Sequence, residues 1–261
     1  LWALNKEAAR FFVKELYGPA GREGLAYAQK RGMSKGTLTR FGIGFAPAGW
    51  RNLCDAMKAK GYTEEELLAA GVASEKDKST YDRFRNRLMF PIIDVRGNVI
   101  GFGGRVMDQG EPKYLNSGET YLFNKRYHLY SLNQVRKKRD LHNIVLTEGY
   151  MDVVGMRAVG VDNVVASLGT ALTREQTRLL KKYTNRVYLC YDGDAAGQNA
   201  SLRAIDLLQA EGLRTSVICM PEGLDPDDFA RTRGKDAFLE LQKQSLSGVE
   251  FKLRMLRANY D

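Results

Sequence analysis

Histidine is nearly missing from this chain of 261 residues: there are two, His128 and His142, and the three cysteines, Cys54, Cys190 and Cys219, stand far apart with no CxxC pair. Such a set offers no zinc site, because the ligand spacing is absent. Three cysteines in apolar, helix- or strand-like contexts form no disulfide framework and read as buried thiols of a reducing compartment. No apolar run approaches the roughly 20 residues that cross a bilayer. The opening LWALNKEAARFF is amphipathic and carries acids, unlike a signal or transit peptide, and its lack of an initiator Met suggests an excised piece of a longer chain. A Walker A sequence, internal repeats and low-complexity tracts are all missing. GFGGRV at 101 mimics half a dinucleotide fingerprint but sits in a hairpin with no helix after it. Ser167 in SLGT has no histidine partner in view, which argues against a hydrolase nucleophile.

What is present is a charge imbalance. The formal net charge is +9, and residues 1–140 hold 25 Lys+Arg against 15 Asp+Glu. Residues 141–261 hold 15 against 16, so the excess lies wholly in the first half. Hydrophobic residues at 44% and charged ones at 27% are ordinary for a globular protein. Basicity of this kind favours a polyanion, nucleic acid ahead of an anionic membrane surface. The run RKKR at 136–139 reads as the solvated end of a helix in preference to a binding site.

The first eighty residues are predicted to be helical. Asn5 is placed as the cap of KEAARFFVKELY, Ser34 starts a short helix after Gly32, and Thr63-x-x-Glu66 is a capping box. RLMFPIIDV and NVIGFGGRVM flank Arg96-Gly97 and read as a β-hairpin. From about residue 125 apolar strands alternate with helices: NIVLTE, NVVASLG, RVYLCYD and RTSVICM. Thr173 and Gln176 form the capping pair of one intervening helix. That alternation predicts a parallel sheet covered on both faces.

In such sheets chemistry collects beyond the carboxyl ends of the strands. The first strand ends at Glu148, the third at Asp192-Gly193-Asp194, and the fourth leads to Asp225, Asp227 and Asp228 in LDPDDF. Asp152 stands one helical turn past Glu148. Carboxylates from three strand ends on one rim repel one another, and a hard divalent cation, Mg²⁺ or Mn²⁺, relieves this most simply. Gly193 is read as a bend that turns both flanking aspartates to one point. Asp194 before AAGQNA also fits a plain helix N-cap. An EF-hand loop fails, since Ala196 and Arg203 stand where ligands are needed.

TEGYMDVV, YDGDAAG and DPDDF on successive strands resemble the TOPRIM domain shared by bacterial primases, type IA and II topoisomerases and certain nucleases. The flanking RFGIGFAP, YDRFRNRLMFPI, GNVIGFGGRV and PKYLNSGET resemble the DnaG-type bacterial replicative primase family, over nearly the whole chain. The resemblance implies an α/β architecture in three parts. These are a basic α+β subdomain over 1–125, a metal-binding TOPRIM subdomain over 126–243, and the start of a helical subdomain over 244–261.

It implies a cytoplasmic, nucleoid-associated DNA-dependent RNA polymerase that makes short RNA primers from ribonucleoside triphosphates on single-stranded DNA. Metal and catalytic acids would be Glu148, Asp192, Asp194, Asp225 and Asp227, with Asp152 supporting; Glu148 serves as ligand or as general base. A basic ridge for template and nucleotide phosphates would comprise Arg83, Arg105, Lys113 and Lys125 with Asn116, flanked by Arg85 and Tyr114, and with Arg40 as a further candidate. The family's zinc module needs ligands this chain lacks, and its helicase-binding domain would follow Asp261. The expectation is therefore a monomeric polymerase core without zinc and without membrane contact. The replicative helicase and the single-stranded-DNA-binding protein would be met through other segments. The rival reading is a TOPRIM nuclease or topoisomerase-like strand cleaver, although none of the 13 tyrosines announces itself as a nucleophile.

The charge distribution carries a first prediction. Binding to single-stranded DNA is expected to be sequence-tolerant, and if three phosphates are neutralised the log–log salt slope is about −2. Anisotropy that ignores salt between low and physiological strength would contradict it.

Overall fold

Ser34 accepts from Thr37 N–H at 3.1 Å and so starts a helix where the sequence places one. The computed structural model describes residues 1–107, 110–221 and 223–258, and these fall into two compact units, 1–124 and 125–261. Among them no helix is long and apolar enough to cross a membrane.

The first unit runs α1 (Trp2–Leu16), α2 (Arg22–Lys30), α3 (Lys35–Phe41), β1 (Gly44–Ala46), α4 (Asn52–Lys58) and α5 (Glu64–Ala69), then β2 (Ala73–Lys76), β3 (Ser79–Asp82), β4 (Arg87–Ile93), β5 (Val99–Val106) and β6 (Tyr114–Asn116). The Thr63/Glu66 capping box on α5 is present with both of its bonds. Asn5 is not a cap. It lies inside α1, fully buried, and neither amide atom has a hydrogen-bond partner among the described residues. Leu4, Ala8 and Phe12 need that helix face for the core, and this tertiary demand overrides the local signal.

The hairpin at Arg96-Gly97 forms as β4–β5, closed by Asp94 accepting from Arg96 and Asn98 N–H, with Gly97 at φ 98°. It belongs to an antiparallel sheet of order β1-β4-β5-β6. Phe12 of α1 meets Phe102 of β5 edge-on, centroids 5.3 Å apart.

The second unit runs α6 (Leu132–Val135), β7 (Ile144–Thr147), α7 (Tyr150–Ala158), β8 (Val164–Ala166), α8 (Arg174–Lys181), β9 (Arg186–Leu189), α9 (Ala195–Ala210), β10 (Arg214–Val217), α10 (Pro226–Lys243), β11 (Leu246–Ser247) and α11 (Gly248–Ala258). The sheet order is β11-β10-β9-β7-β8, parallel except for the short edge strand β11. Every side chain of β7 and β8 is buried, as a sheet covered on both faces requires. Farther out, β9 and β10 expose their first residues and half-bury Tyr188 and Ser216. Thr173 and Gln176 cap α8 reciprocally. α10 breaks at Gly234, whose φ of 80° leaves the helical region.

One residue of the first unit ties distant segments. α4 has no side-chain cap of its own, and buried Asp82, at the end of β3, accepts from Leu53 and Cys54 N–H at 2.8 Å each. Replacing it with Ala strands two buried donors. Asp82→Ala is expected to cost about 2–4 kcal/mol, read as a lower urea midpoint at unchanged m-value.

Candidate metal centre and nucleic-acid contacts

The carboxyl ends of β7, β9 and β10 deliver the acids to one edge. Glu148 follows β7, Asp192 and Asp194 follow β9, and Asp225 to Asp228 open α10 after β10. Ligand atoms of Asp225, Asp227 and Asp228 lie within 4.8 Å of one another. Asp192 links the two ends of the rim. Burial first, then Asp192 and Asp194, push the Glu148 carboxyl above its ordinary range, while the Asp192 N–H opposes this. Burial, then Asp225 and Asp192, push Asp152 well above its own range; the Gly149 N–H opposes, and Asp227 adds to the rise.

All seven rim acids named from the sequence are thus neighbours along one edge, the six candidate metal acids and Asp228 beside them. The sequence shows Asp228 beside the others, but its role rests on distance. It pairs with Arg231 and donates its N–H to Asp225 at 2.6 Å.

Three of these acids also start helices. Asp194 caps α9 through Gly197 N–H at 2.8 Å, Asp225 caps α10, and Asp152 accepts from Gly149 N–H at 3.0 Å at the start of α7. Capping and metal binding are compatible, because a cap bond occupies one carboxylate oxygen and leaves the other. Glu148 Oε1 is buried and has no hydrogen-bond partner among the described residues. A buried carboxylate oxygen left so is costly unless a donor or a cation comes to it. The donor set is oxygen only, which suits a hard divalent cation.

Two glycines set the spacing. Gly193 lies in a bend, as expected, though without positive φ; a Cβ there would sit 3.2 Å from the Met220 carbonyl, so its smallness lets the segment after β9 pass the neighbouring loop. At Gly155, on α7, a Cβ would meet Asp227 Oδ1 at 1.9 Å. The absent side chain is what allows the α10 carboxylate to lie against α7.

The ridge residues are placed differently from one another. Arg83 donates through Nε and Nη2 to the Asn116 carbonyl at 3.1 and 2.9 Å, and burial lowers its pKa. Arg105 is buried, donates to Tyr114 Oη at 3.2 Å and stacks 4.8 Å from the Tyr27 ring. Lys113 and Tyr114 are exposed, as is Arg40 in the last turn of α3. Lys125 opens the second unit, where its carbonyl accepts from Gln176 Nε2 at 2.9 Å.

Arg85 has company that sequence reasoning misses. Its guanidinium lies 4.1 Å from the Trp50 ring and 5.3 Å from Tyr81, and Trp50 is 63% exposed. Trp50 falls in a Pro/Gly loop with no periodic signal, so only the tertiary contact reveals it. Arg87, also passed over, is buried and donates to the Pro112 carbonyl at 2.8 Å.

A parallel sheet whose carboxyl edge carries clustered acids is the arrangement of a Toprim-type domain. Residues 145–230 match the family described as Toprim-like, and residues 11–136 that described as DNA primase catalytic core, N-terminal domain. A DNA primase of Clostridium acetobutylicum is 47% identical over 253 residues, covering 97% of this chain and 42% of that protein. The DNA primase of Escherichia coli (strain K12) is 40% identical over 266 residues, covering 100% of the chain and 46% of that protein. The chain therefore spans less than half the length of these relatives. A solved DnaG primase catalytic domain bound to ssDNA has TM-score 0.91 at 39% identity, with 99% of this chain and 82% of that one covered. The chain belongs to the DnaG-type primase catalytic-core family.

The rim geometry yields a pair of variants with opposite stability effects. Gly155→Ala is expected to displace Asp227, lowering stability by about 1–3 kcal/mol and weakening Mn²⁺ binding. Asp194→Asn keeps the cap, since Asn serves there as well as Asp, so the metal-free melting point holds or rises slightly. The Asp194 variant is expected to lose most of the rise that millimolar Mg²⁺ or Mn²⁺ gives the parent. Thermal melts with EDTA and with metal check both.

Proposed function

We propose that the chain is a primase polymerase core, making short RNA primers de novo on single-stranded DNA from ribonucleoside triphosphates by nucleotidyl transfer. The observation that carries this reading is the rim itself, with Glu148 Oε1 unpartnered among acids from three strand ends, in a chain whose relatives are DNA primases. The strand-cleaving alternative is not favoured, since none of these relatives is a nuclease or topoisomerase.

Glu148, Asp192, Asp194, Asp225 and Asp227 would hold the cation, Mg²⁺ or Mn²⁺, with Asp152 behind them fixing the start of α7 through Gly149. When bound, that ion supplies positive charge for the triphosphate and the leaving pyrophosphate. Glu148 has the raised pKa of a group able to take a proton from the primer 3′-hydroxyl, or it ligates. It borders a cavity of about 430 Å³ shared with Ser167, Thr170 and Arg203, which leaves room for a reactant beside it.

Lys113, Lys125 and Arg40 would bind phosphates of template or nucleotide. Arg83 and Arg105 would act from within, Arg83 fixing the Asn116 main chain and Arg105 the Tyr114 ring. Trp50 and Tyr81, edge-on to each other, and Arg85 over both rings form a partly exposed cluster of the kind that accepts single-stranded bases. The division of labour follows: a basic subdomain over 1–125, the catalytic Toprim subdomain over 126–243, and the beginning of a helical subdomain over 244–261. A single copy is sufficient for this chemistry. The setting is the replication fork in the cytoplasm, with the replicative helicase and single-stranded-DNA-binding protein as partners there.

The deciding experiment incubates the chain with single-stranded DNA, four ribonucleotides and Mg²⁺ or Mn²⁺. New RNA is expected, and nicked DNA or mere retardation would overturn the reading. Lys113→Ala and Lys125→Ala are each expected to weaken nucleotide or template binding while moving stability by less than about 0.5 kcal/mol. A collapsed melting point would make that lysine structural.

A further inference from the structure

The basic run at 136–139 is used neither by the rim nor by the Trp50 cluster, and the fold gives it company. β7, β9 and β10 run parallel, so their amino ends share the sheet edge opposite the acids. Arg186 and Arg214 open β9 and β10 as register partners, and both are exposed. Residues 136–143 lead into β7 on that same edge, held by Thr184 Oγ1 donating to the His142 carbonyl at 3.3 Å. Arg136 to Arg139 and Lys182 are exposed as well.

The nearby acids are largely occupied. Asp162 lies 3.9 Å from both Lys138 and Arg157, and Glu211 is engaged by Arg174 and Arg178 at 3.0 and 3.1 Å. Asp140 is exposed within the run. Among the described residues no ion pair engages Arg136, Lys137, Arg139, Lys182, Arg186 or Arg214. The balanced charge of residues 141–261 thus hides a partial separation, with the clustered acids on one sheet edge and the unpaired cations Lys182, Arg186 and Arg214 on the other.

We propose that this cationic edge is a second nucleic-acid surface, one that holds the phosphate backbone of a double helix. Arginine forks and lysine point charges suit phosphates. Single-strand surfaces add aromatic platforms for bases, and among the described residues no exposed large aromatic stands here, Tyr183 between Lys182 and Thr184 being half-buried. Tyr127, the exposed large aromatic among the described residues of the second unit, instead adjoins Arg126, whose carbonyl accepts from Thr173 at the start of α8. The proposal does not rest on the metal reading.

The test uses the full chain and two separate variants, Arg136→Gln/Lys137→Gln/Arg139→Gln and Arg186→Gln/Arg214→Gln. Anisotropy is followed with a labelled duplex of about 20 base pairs, with a single strand and with labelled poly-glutamate, from about 50 to about 200 mM salt. Each variant is expected to lose roughly 1–2 units of duplex salt slope and on the order of tenfold in low-salt affinity. Single-strand binding, the melting point and its Mn²⁺-induced rise are expected to match the parent. Should one variant fail to fold, the other addresses the same edge from a different segment. Duplex binding unchanged in the folded variants, or an equal loss for the single strand, would overturn the proposal. So would a loss confined to poly-glutamate, which would assign the edge to an acidic protein.

Discussion

Repulsion among carboxylates at the carboxyl edge of the parallel sheet is the constraint around which the second unit is built. Ligand atoms of Asp225, Asp227 and Asp228 within 4.8 Å of one another imply a like-charge cost of roughly 3–4 kcal/mol per close pair before screening, at an effective dielectric near 20. Folding cannot remove that cost by moving the acids apart, because three strands end there and the helices that follow start there. It can only place positive potential nearby. α7, α9 and α10 all begin at this edge, and their N–H groups bond Asp152, Asp194 and Asp225.

That supply is real and insufficient. A helix N-terminus contributes about 0.3–1 kcal/mol to a nearby anion, less than the repulsion between two close acids. The remainder shows in Glu148 and Asp152, both held above their ordinary pKa by burial and by neighbouring aspartates. Each cap bond engages one carboxylate oxygen and fixes the direction of the other. The helices therefore orient the acids without neutralising them, which is how an acidic rim stays competent for a cation. Gly155 serves the same end, since only a helix without a Cβ at that position lets Asp227 sit where it does.

Local signals were legible in the sequence wherever a few adjacent residues decide the outcome. Ser34, Thr63 and Thr173 cap their helices because the donor they need lies three residues away. The strand–helix alternation and the acids at strand ends follow from periodicity. What could not be read depends on partners far along the chain. Asn5 looks like a cap but is buried inside α1, whose Leu4, Ala8 and Phe12 join a core drawn from α4, α5, β4 and β5. The three-residue strands β1 and β6 exist only because β4 and β5 accept them. Arg105 has the composition of a surface cation, and it is buried because Tyr27 and Tyr114 lie on either side. Asp194 carried both readings at once, and the structure supports the cap without excluding the other.

The two units arrange their charged side chains in opposite ways. The first gathers cations and sets several against aromatic rings, as with Arg85 on Trp50 and Arg105 on Tyr27. A guanidinium stacked on a ring keeps its charge while gaining an apolar neighbour, so it stays ordered without needing a carboxylate to hold it. An ion-paired arginine would present a neutralised group to phosphate. Here the aromatic ring takes the carboxylate's place as anchor. The second unit separates its charges instead, with acids at the ends of strands and cations at their beginnings. Strand direction turns sequence position into spatial separation: Glu148, Asp192 and Asp194 follow strand ends, Arg186 and Arg214 open strands, and parallel strands put all their starts on one edge and all their ends on the other. A sheet of mixed direction would have interleaved the two signs and let them cancel.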